Sequence, residues 1–154
     1  MKKAMVLLLA LGLLWACQPA QQDEQPATPA GSAPAGKLFI IGGGKRPPAL
    51  VDSLIKCSGV REKGYIVILP LSSSQMDTSA YYAKKQFTEA GLDNIVWYKY
   101  EQGDKIPPAQ LDSVRHAQMV YLPGGNQNTF MERVGNTALP EAIREAYRNG
   151  ATIA

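Results

Sequence analysis

Histidine occurs once in the 154 residues, as His116, and cysteine twice, as Cys17 and Cys57. A closed zinc site draws several His and Cys ligands together, so this chain has no plausible zinc cluster, and neither a metal nor a cofactor is expected. Charge of either sign is also scarce in excess. Removing the two amino-terminal lysines, Lys2 and Lys3, from the sixteen basic residues leaves fourteen against thirteen acids, a balance that gives no reason to expect a nucleic-acid partner. No internal repeat is visible. The longest apolar run, Met5 to Leu14, falls short of the ~20 residues a membrane-spanning helix needs.

What that run does resemble is a targeting segment. Lys2 and Lys3 form a charged start, Met5 to Leu14 an apolar stretch, and Leu14-Trp15-Ala16-Cys17 resembles the lipobox of bacterial lipoproteins, with Trp15 an unusual occupant of its second position. Residues 1–16 are therefore expected to be a lipoprotein signal peptide, and Cys17 the lipidation site. The alternative is an ordinary signal peptide with an incidental cysteine. Acyl chains, at about 0.8 kcal/mol per buried methylene, would anchor the chain to a membrane of the bacterial cell envelope, with the soluble domain outside the cytoplasm. With Cys17 acylated, Cys57 is the one remaining thiol and no intrachain disulfide can form. It follows Leu54 and Ile55 on a helical face, which favours packing over reactivity.

Residues 17–36 contain no apolar side chain larger than Ala or Pro apart from Cys17 itself, so they cannot bury enough surface to offset their ordering entropy. They are expected to form a disordered tether. The folded part would then run over residues 37–154, long enough for one domain.

Within it, apolar runs at Lys37 to Ile41, Tyr65 to Leu69, Asn94 to Tyr100 and Gln118 to Leu122 read as strands. Helical periodicity fills the gaps. A first helix starts at Pro47 or Pro48, and a second runs from about Met76 to Ala90 with Ser74 as N-cap and Gly91 as its stop. A third covers Pro108 to Arg115, a fourth opens near Asn126, and a fifth carries Leu139, Ala142, Ile143, Ala146 and Tyr147 on one face before Gly150. Such alternation predicts an α/β fold: a mostly parallel, doubly wound sheet with helices on both faces.

In sheets of this kind, ligands bind beyond the carboxyl ends of the strands. Those ends carry Gly42, Gly43 and Gly44, then Ser72, Ser73 and Ser74, then Gly124, Gly125, Asn126 and Gln127. The last group is the most informative. Paired glycines between a strand and a helix let the backbone approach a ligand, and the helix start adds unpaired N–H groups, so the turn suits an anion or an oxyanion. A plain strand-to-helix turn would look the same. Competing motifs fail on single residues: a dinucleotide fingerprint needs glycine where Pro47 stands, and a Walker-type phosphate loop needs Ser or Thr where Arg46 stands. Ser72 to Ser74 lack the flanking glycines of a nucleophile elbow and read as helix-capping residues. His116 precedes the fourth strand, on the wrong edge of the sheet for a general base. Tyr81, Tyr82 and Phe87 read as packing, and Lys84, Lys85, Arg144 and Arg148 as solvated helix faces.

Leu38-Phe-Ile-Ile-Gly-Gly-Gly-Lys-Arg-Pro47, Ile66-Val-Ile-Leu-Pro-Leu-Ser-Ser-Ser74 and Tyr121-Leu-Pro-Gly-Gly-Asn-Gln127, in that order and spacing, resemble the cyanophycinase and peptidase E family of serine peptidases. The resemblance implies a fold like the class I glutamine amidotransferase domain. It implies a peptide substrate, with Gly124 and Gly125 on the oxyanion side of the site and Gln127 facing the substrate. Asn126 departs from the Asp common at that position. The family's nucleophilic serine follows the strand that Ala151 to Ala154 would form, and its histidine comes later, so both are expected beyond Ala154. The 154-residue chain alone is then expected to lack peptidase activity, and a sheet cut at a central strand would expose an unpaired edge. Two other readings stay open: a non-catalytic lipoprotein binding module on the same fold, and an amidotransferase-like protein with a cysteine nucleophile. Oligomeric state, and the choice between inner and outer membrane, are not legible.

Overall fold

Ile66, Val67 and Ile68 are wholly buried, as are Met119, Val120 and Tyr121, and this decides the architecture. Strands apolar on consecutive positions must be covered on both faces, the signature of a parallel sheet between two helical layers. In a computed structural model that describes residues 35–154, all within one compact unit, the sheet has five parallel strands: β1 (Lys37–Leu38), β2 (Ile66–Ile68), β3 (Ile95–Trp97), β4 (Met119–Tyr121) and β5 (Thr152–Ile153). Their spatial order is β1-β5-β4-β2-β3, with Ile66 opposite both Ile95 and Met119, and Met119 opposite Thr152.

Five helices connect them: α1 (Pro48–Ser58), α2 (Met76–Glu89), α3 (Pro108–Arg115), α4 (Gln127–Val134) and α5 (Leu139–Arg148). Alternation along the strands sorts side chains between the layers. Ile66, Ile68, Met119 and Tyr121 face α1 and α2, where they meet Val51, Leu54, Ala83 and Phe87, and the Phe87 and Tyr121 rings pack edge to face with centroids 5.0 Å apart. Val67 and Val120 face the other way, toward Val114, Val134, Leu139, Ala142 and Ala146 of α3, α4 and α5. The expected doubly wound α/β sheet is therefore present.

Local details differ from the sequence expectation. Each regular strand is shorter than its apolar run, β1 most of all: the Phe39 N–H still bonds the Ile153 carbonyl at 2.9 Å, and Ile40 and Ile41 continue beyond the ladder. Gln75, not Ser74, occupies the N-cap of α2, and it is Ser73 Oγ that accepts the Gln75 N–H at 3.0 Å. Cys57 is half-buried and outside both core clusters; its carbonyl accepts a bond from Lys37 Nζ at 2.7 Å. Arg144 and Arg148 are exposed as expected, yet both bond Glu141, whose carboxyl they hold below its ordinary range. Such exposed pairs add little stability.

The unpaired edge expected at the last strand is not seen. β5 lies inside the sheet, paired to β1 on one side and β4 on the other. The edges are β3 and the two-residue β1, and a short edge offers little template for further pairing. The expected signal peptide, Cys17 and nearly all of the expected tether lie outside the described residues. Gly36, placed at the tether's end by composition, is packed: a Cβ there would run into the Tyr147 carbonyl, so ordered packing begins before Lys37.

Thr152 is 1% exposed, and its hydroxyl has no hydrogen-bond partner among the described residues. A buried orphan hydroxyl costs free energy that an isosteric methyl does not. Thr152→Val is expected to leave the fold unchanged and raise stability by about 1 kcal/mol. Urea unfolding at matched m-values would measure it.

Candidate active site

The loops that leave β2 and β4 run to opposite layers of the sheet, the first to α2 and the second to α4. Adjacent parallel strands whose connections diverge open a crevice at their carboxyl ends. Here the crevice is bridged. Ser72 Oγ donates to the Pro123 carbonyl at 2.6 Å, and the Asn126 N–H donates to the Ser72 carbonyl at 2.8 Å. The glycine turn is thus tied to the serine loop from both of its flanks.

This contact explains Gly125. Its φ is not positive, so left-handed geometry is not the requirement. A Cβ at Gly125 would collide with the Ser72 carbonyl, whereas a Cβ at Gly124 would project into open space. Close approach of two backbones fixes glycine at one position and leaves the other unconstrained by packing.

The turn's hydrogen-bond accounting defines what it can bind. Asn126 is the N-cap of α4, and its Oδ1 accepts the Asn128 N–H at 2.8 Å. With its own N–H given to Ser72, Asn126 is committed to holding the turn, and it does not line either cleft beside the turn. In this structure its Oδ1 and its N–H both serve to hold the turn. The N–H groups of Gly124 and Gly125, by contrast, have no hydrogen-bond partner among the described residues. Both glycines are solvent-exposed.

Two clefts meet at these glycines. One, of about 570 Å³, has Gly42, Gly43, Gly44 and Arg46 on one wall and Tyr121, Leu122, Gly124 and Gly125 on the other, with Ile153 and Ala154 at its base. The second, of about 520 Å³, lies between Ser72 and α4 and is lined by Leu122, Pro123, Gln127, Phe130 and Met131 together with the same two glycines. The structure thus brings Gly42, Gly43 and Gly44 to one side of the turn and Ser72 and Gln127 to the other. Ser73 lines neither cleft.

Arg46 donates to Gln86 Oε1 at 2.8 Å, which holds its guanidinium toward α2. A third cleft, between the start of α2 and the end of β3, contains the Lys99–Asp77 ion pair but none of the candidate glycines. Tyr100 lines that cleft; burial, with Tyr98 adding to it, pushes its phenol above the ordinary range, and its hydroxyl donates to Gln110 Oε1 at 2.9 Å. His116 ends α3 at the amino end of β4, exposed, with its Nδ1 2.9 Å from the Asp112 carbonyl. It is remote in the fold from the glycine turn, as its place before β4 implied.

One residue was not legible beforehand. Arg133, in the last turn of α4, has a side chain only 11% exposed, and it bonds the carbonyls of Leu71 and Ser73 at 2.7 and 2.8 Å and the Glu101 carboxylate at 3.0 Å. Charge-assisted bonds from a largely desolvated guanidinium are worth about 1.5–3 kcal/mol each. Nothing in the local sequence marks it, since its partners lie 32 to 62 residues away.

The opposite fates of the two glycines are testable. Gly125→Ala is expected to cost about 1–3 kcal/mol, because a backbone must move to admit the methyl group. Gly124→Ala is expected to change stability by less than about 0.5 kcal/mol. Denaturant unfolding of both variants checks the pair.

Comparison with known proteins bears on the family and the fold. A model of peptidase family S51 matches residues 38–154. The fold is similar to that in the crystal structure of a peptidase from an acI-B1 Actinobacterium, with a TM-score of 0.59 at 22% sequence identity over 77% of this chain. The match spans 52% of that peptidase's length. No curated protein matches the sequence significantly.

Proposed function

Because the chain belongs to peptidase family S51, we propose that residues 37–154 are the amino-terminal part of a serine-type peptidase domain that cleaves peptide or amide bonds at the glycine turn. The observation that carries this reading is the pair of unused N–H groups at Gly124 and Gly125, exposed at the junction of two clefts beyond the carboxyl ends of β4 and β5. Fixed backbone donors of this sort stabilise the negative oxygen that develops when a nucleophile adds to a carbonyl. They need no reorganisation at the moment of reaction, since the Ser72 contacts already hold the turn.

The mechanism we infer is attack by a serine hydroxyl on the substrate carbonyl, with a histidine taking the serine proton and later delivering it to the leaving amine. Both groups are proposed on residues that follow Ala154. Support comes from the position of β5, which ends at the base of the glycine cleft, and from the match to about half of a peptidase structure. Ser72 does not suit the nucleophile's role, because its hydroxyl is spent on the Pro123 carbonyl and no imidazole adjoins it. We assign Gln127 to contact with the substrate, a reading supported by its exposure at the start of α4 and its place along the second cleft. Residues 1–16 are proposed as a lipoprotein signal peptide and Cys17 as the acylated anchor, which would present the domain to peptides of the cell envelope.

In a protein carrying the residues after Ala154, a fluorophosphonate probe is expected to label one serine outside residues 1–154. The 154-residue chain alone is expected to remain unlabelled and to turn over no peptide. Absence of label in the longer protein would favour the binding-module reading, and label on a cysteine-directed probe instead would favour an amidotransferase-like nucleophile. For the anchor, Cys17→Ser is expected to abolish incorporation of a labelled fatty acid and to move the protein from the membrane to the soluble fraction.

A further inference from the structure

Arg133 is tied to three loops at the carboxyl edge of the sheet. It rises from α4, which follows the glycine turn; its Nη1 bonds the Leu71 and Ser73 carbonyls of the loop after β2; its Nε bonds Glu101 in the loop after β3. The two carbonyls it takes flank Ser72. With both neighbours turned toward the guanidinium, the Ser72 peptide is left facing the other way, where its carbonyl accepts from Asn126 and its hydroxyl donates to Pro123. Those bonds bracket Gly124 and Gly125. Arg133 thus holds the carbonyls on either side of Ser72, and Ser72 in turn bonds the residues on either side of the unused amides.

We propose that Arg133 is the positioning residue of the oxyanion turn: it sets the orientation of the Ser72 peptide and thereby the direction in which the Gly124 and Gly125 N–H groups point. Its catalytic consequence rests on the peptidase reading; its effect on the turn does not. Burial makes the device stiff. A guanidinium this far from water gains more from its carbonyl and carboxylate partners than an exposed one, and its planar fork holds them in fixed directions. Glu101 is exposed and contributes the outer arm, whereas the two carbonyl bonds form the inner one.

The test uses the full-length protein labelled with nitrogen-15. In Arg133→Met the Gly124 and Gly125 amide signals are expected to shift, and exchange of the Asn126 amide to accelerate by about tenfold or more, while Val67 and Val120 in the core strands change by less than about twofold. Arg133→Lys, which keeps the charge and a single-point donor, is expected to lie between wild type and Arg133→Met; it decides the matter if the methionine variant does not fold. Arg148→Met, which removes an exposed arginine of α5, is expected to leave all these signals in place. Unmoved glycine signals in both Arg133 variants would overturn the proposal, as would acceleration spread evenly over the core, which marks general destabilisation. In an active form, kcat is expected to fall by about tenfold or more with KM little changed. A wild-type protein that cleaves no peptide would sink the peptidase reading while the amide signals still decide the role of Arg133.

Discussion

The burial of β2 and β4 on both faces is the constraint from which the rest of this structure follows. A strand covered on both sides cannot reach solvent for its backbone groups, so each ladder position must be paired, and each side chain must find an apolar neighbour in one helical layer or the other. Ile66 and Ile68 look to α1 and α2, and Val67 looks to α3, α4 and α5. Connections between parallel strands must cross those layers, and the strand order β1-β5-β4-β2-β3 sends the helix after β2 to one layer and the helix after β4 to the other. The loops that diverge there are the ones that build the site.

Divergence by itself would leave an open crevice with mobile walls. Here the Ser72 hydroxyl and carbonyl draw the two loops together, and Gly125 admits the contact because it has no Cβ. The same contact that closes the crevice leaves the next amides idle. Pro123 has no N–H, Asn126 has given its own to Ser72, and Gly124 and Gly125 are left with donors and no acceptor among the described residues. Packing economy and binding capacity thus come from one arrangement: the donors stay free because the residues around them are fully engaged.

The family assignment and this geometry support each other at different levels. Family S51 membership rests on the match over residues 38–154 and speaks to ancestry. The proposed mechanism takes its support from the glycine turn, since exposed, pre-held N–H groups beside a cleft suit the oxyanion of an acyl transfer. Neither depends on titratable side chains within residues 35–154, where the single histidine lies at the amino end of β4 and makes no hydrogen bond to a serine among the described residues.

Much of this was written in the sequence. Apolar periodicity located α1, α2 and α5, and apolar runs located β1 to β4, because burial on a helix or strand face imposes its own spacing, while α4 was read from the glycine turn before it. Paired glycines after β4 and the small residues after β1 and β2 marked the carboxyl edge as the site, because a backbone that must come close to something cannot carry bulk there. Strand order was not written there, since pairing partners far apart in the chain leave no local trace; that the last strand is a central one was implied by the family resemblance alone. The division of labour within the turn was also out of reach. That Gly125 serves packing while Gly124 does not, that Asn126 is spent as a cap, and that Arg133 reaches carbonyls some sixty residues away were decided when tertiary packing put particular atoms at hydrogen-bond distance. The sequence determined which residues could be small, apolar or charged; only the folded chain determined which of their donors were used up and which were left to act.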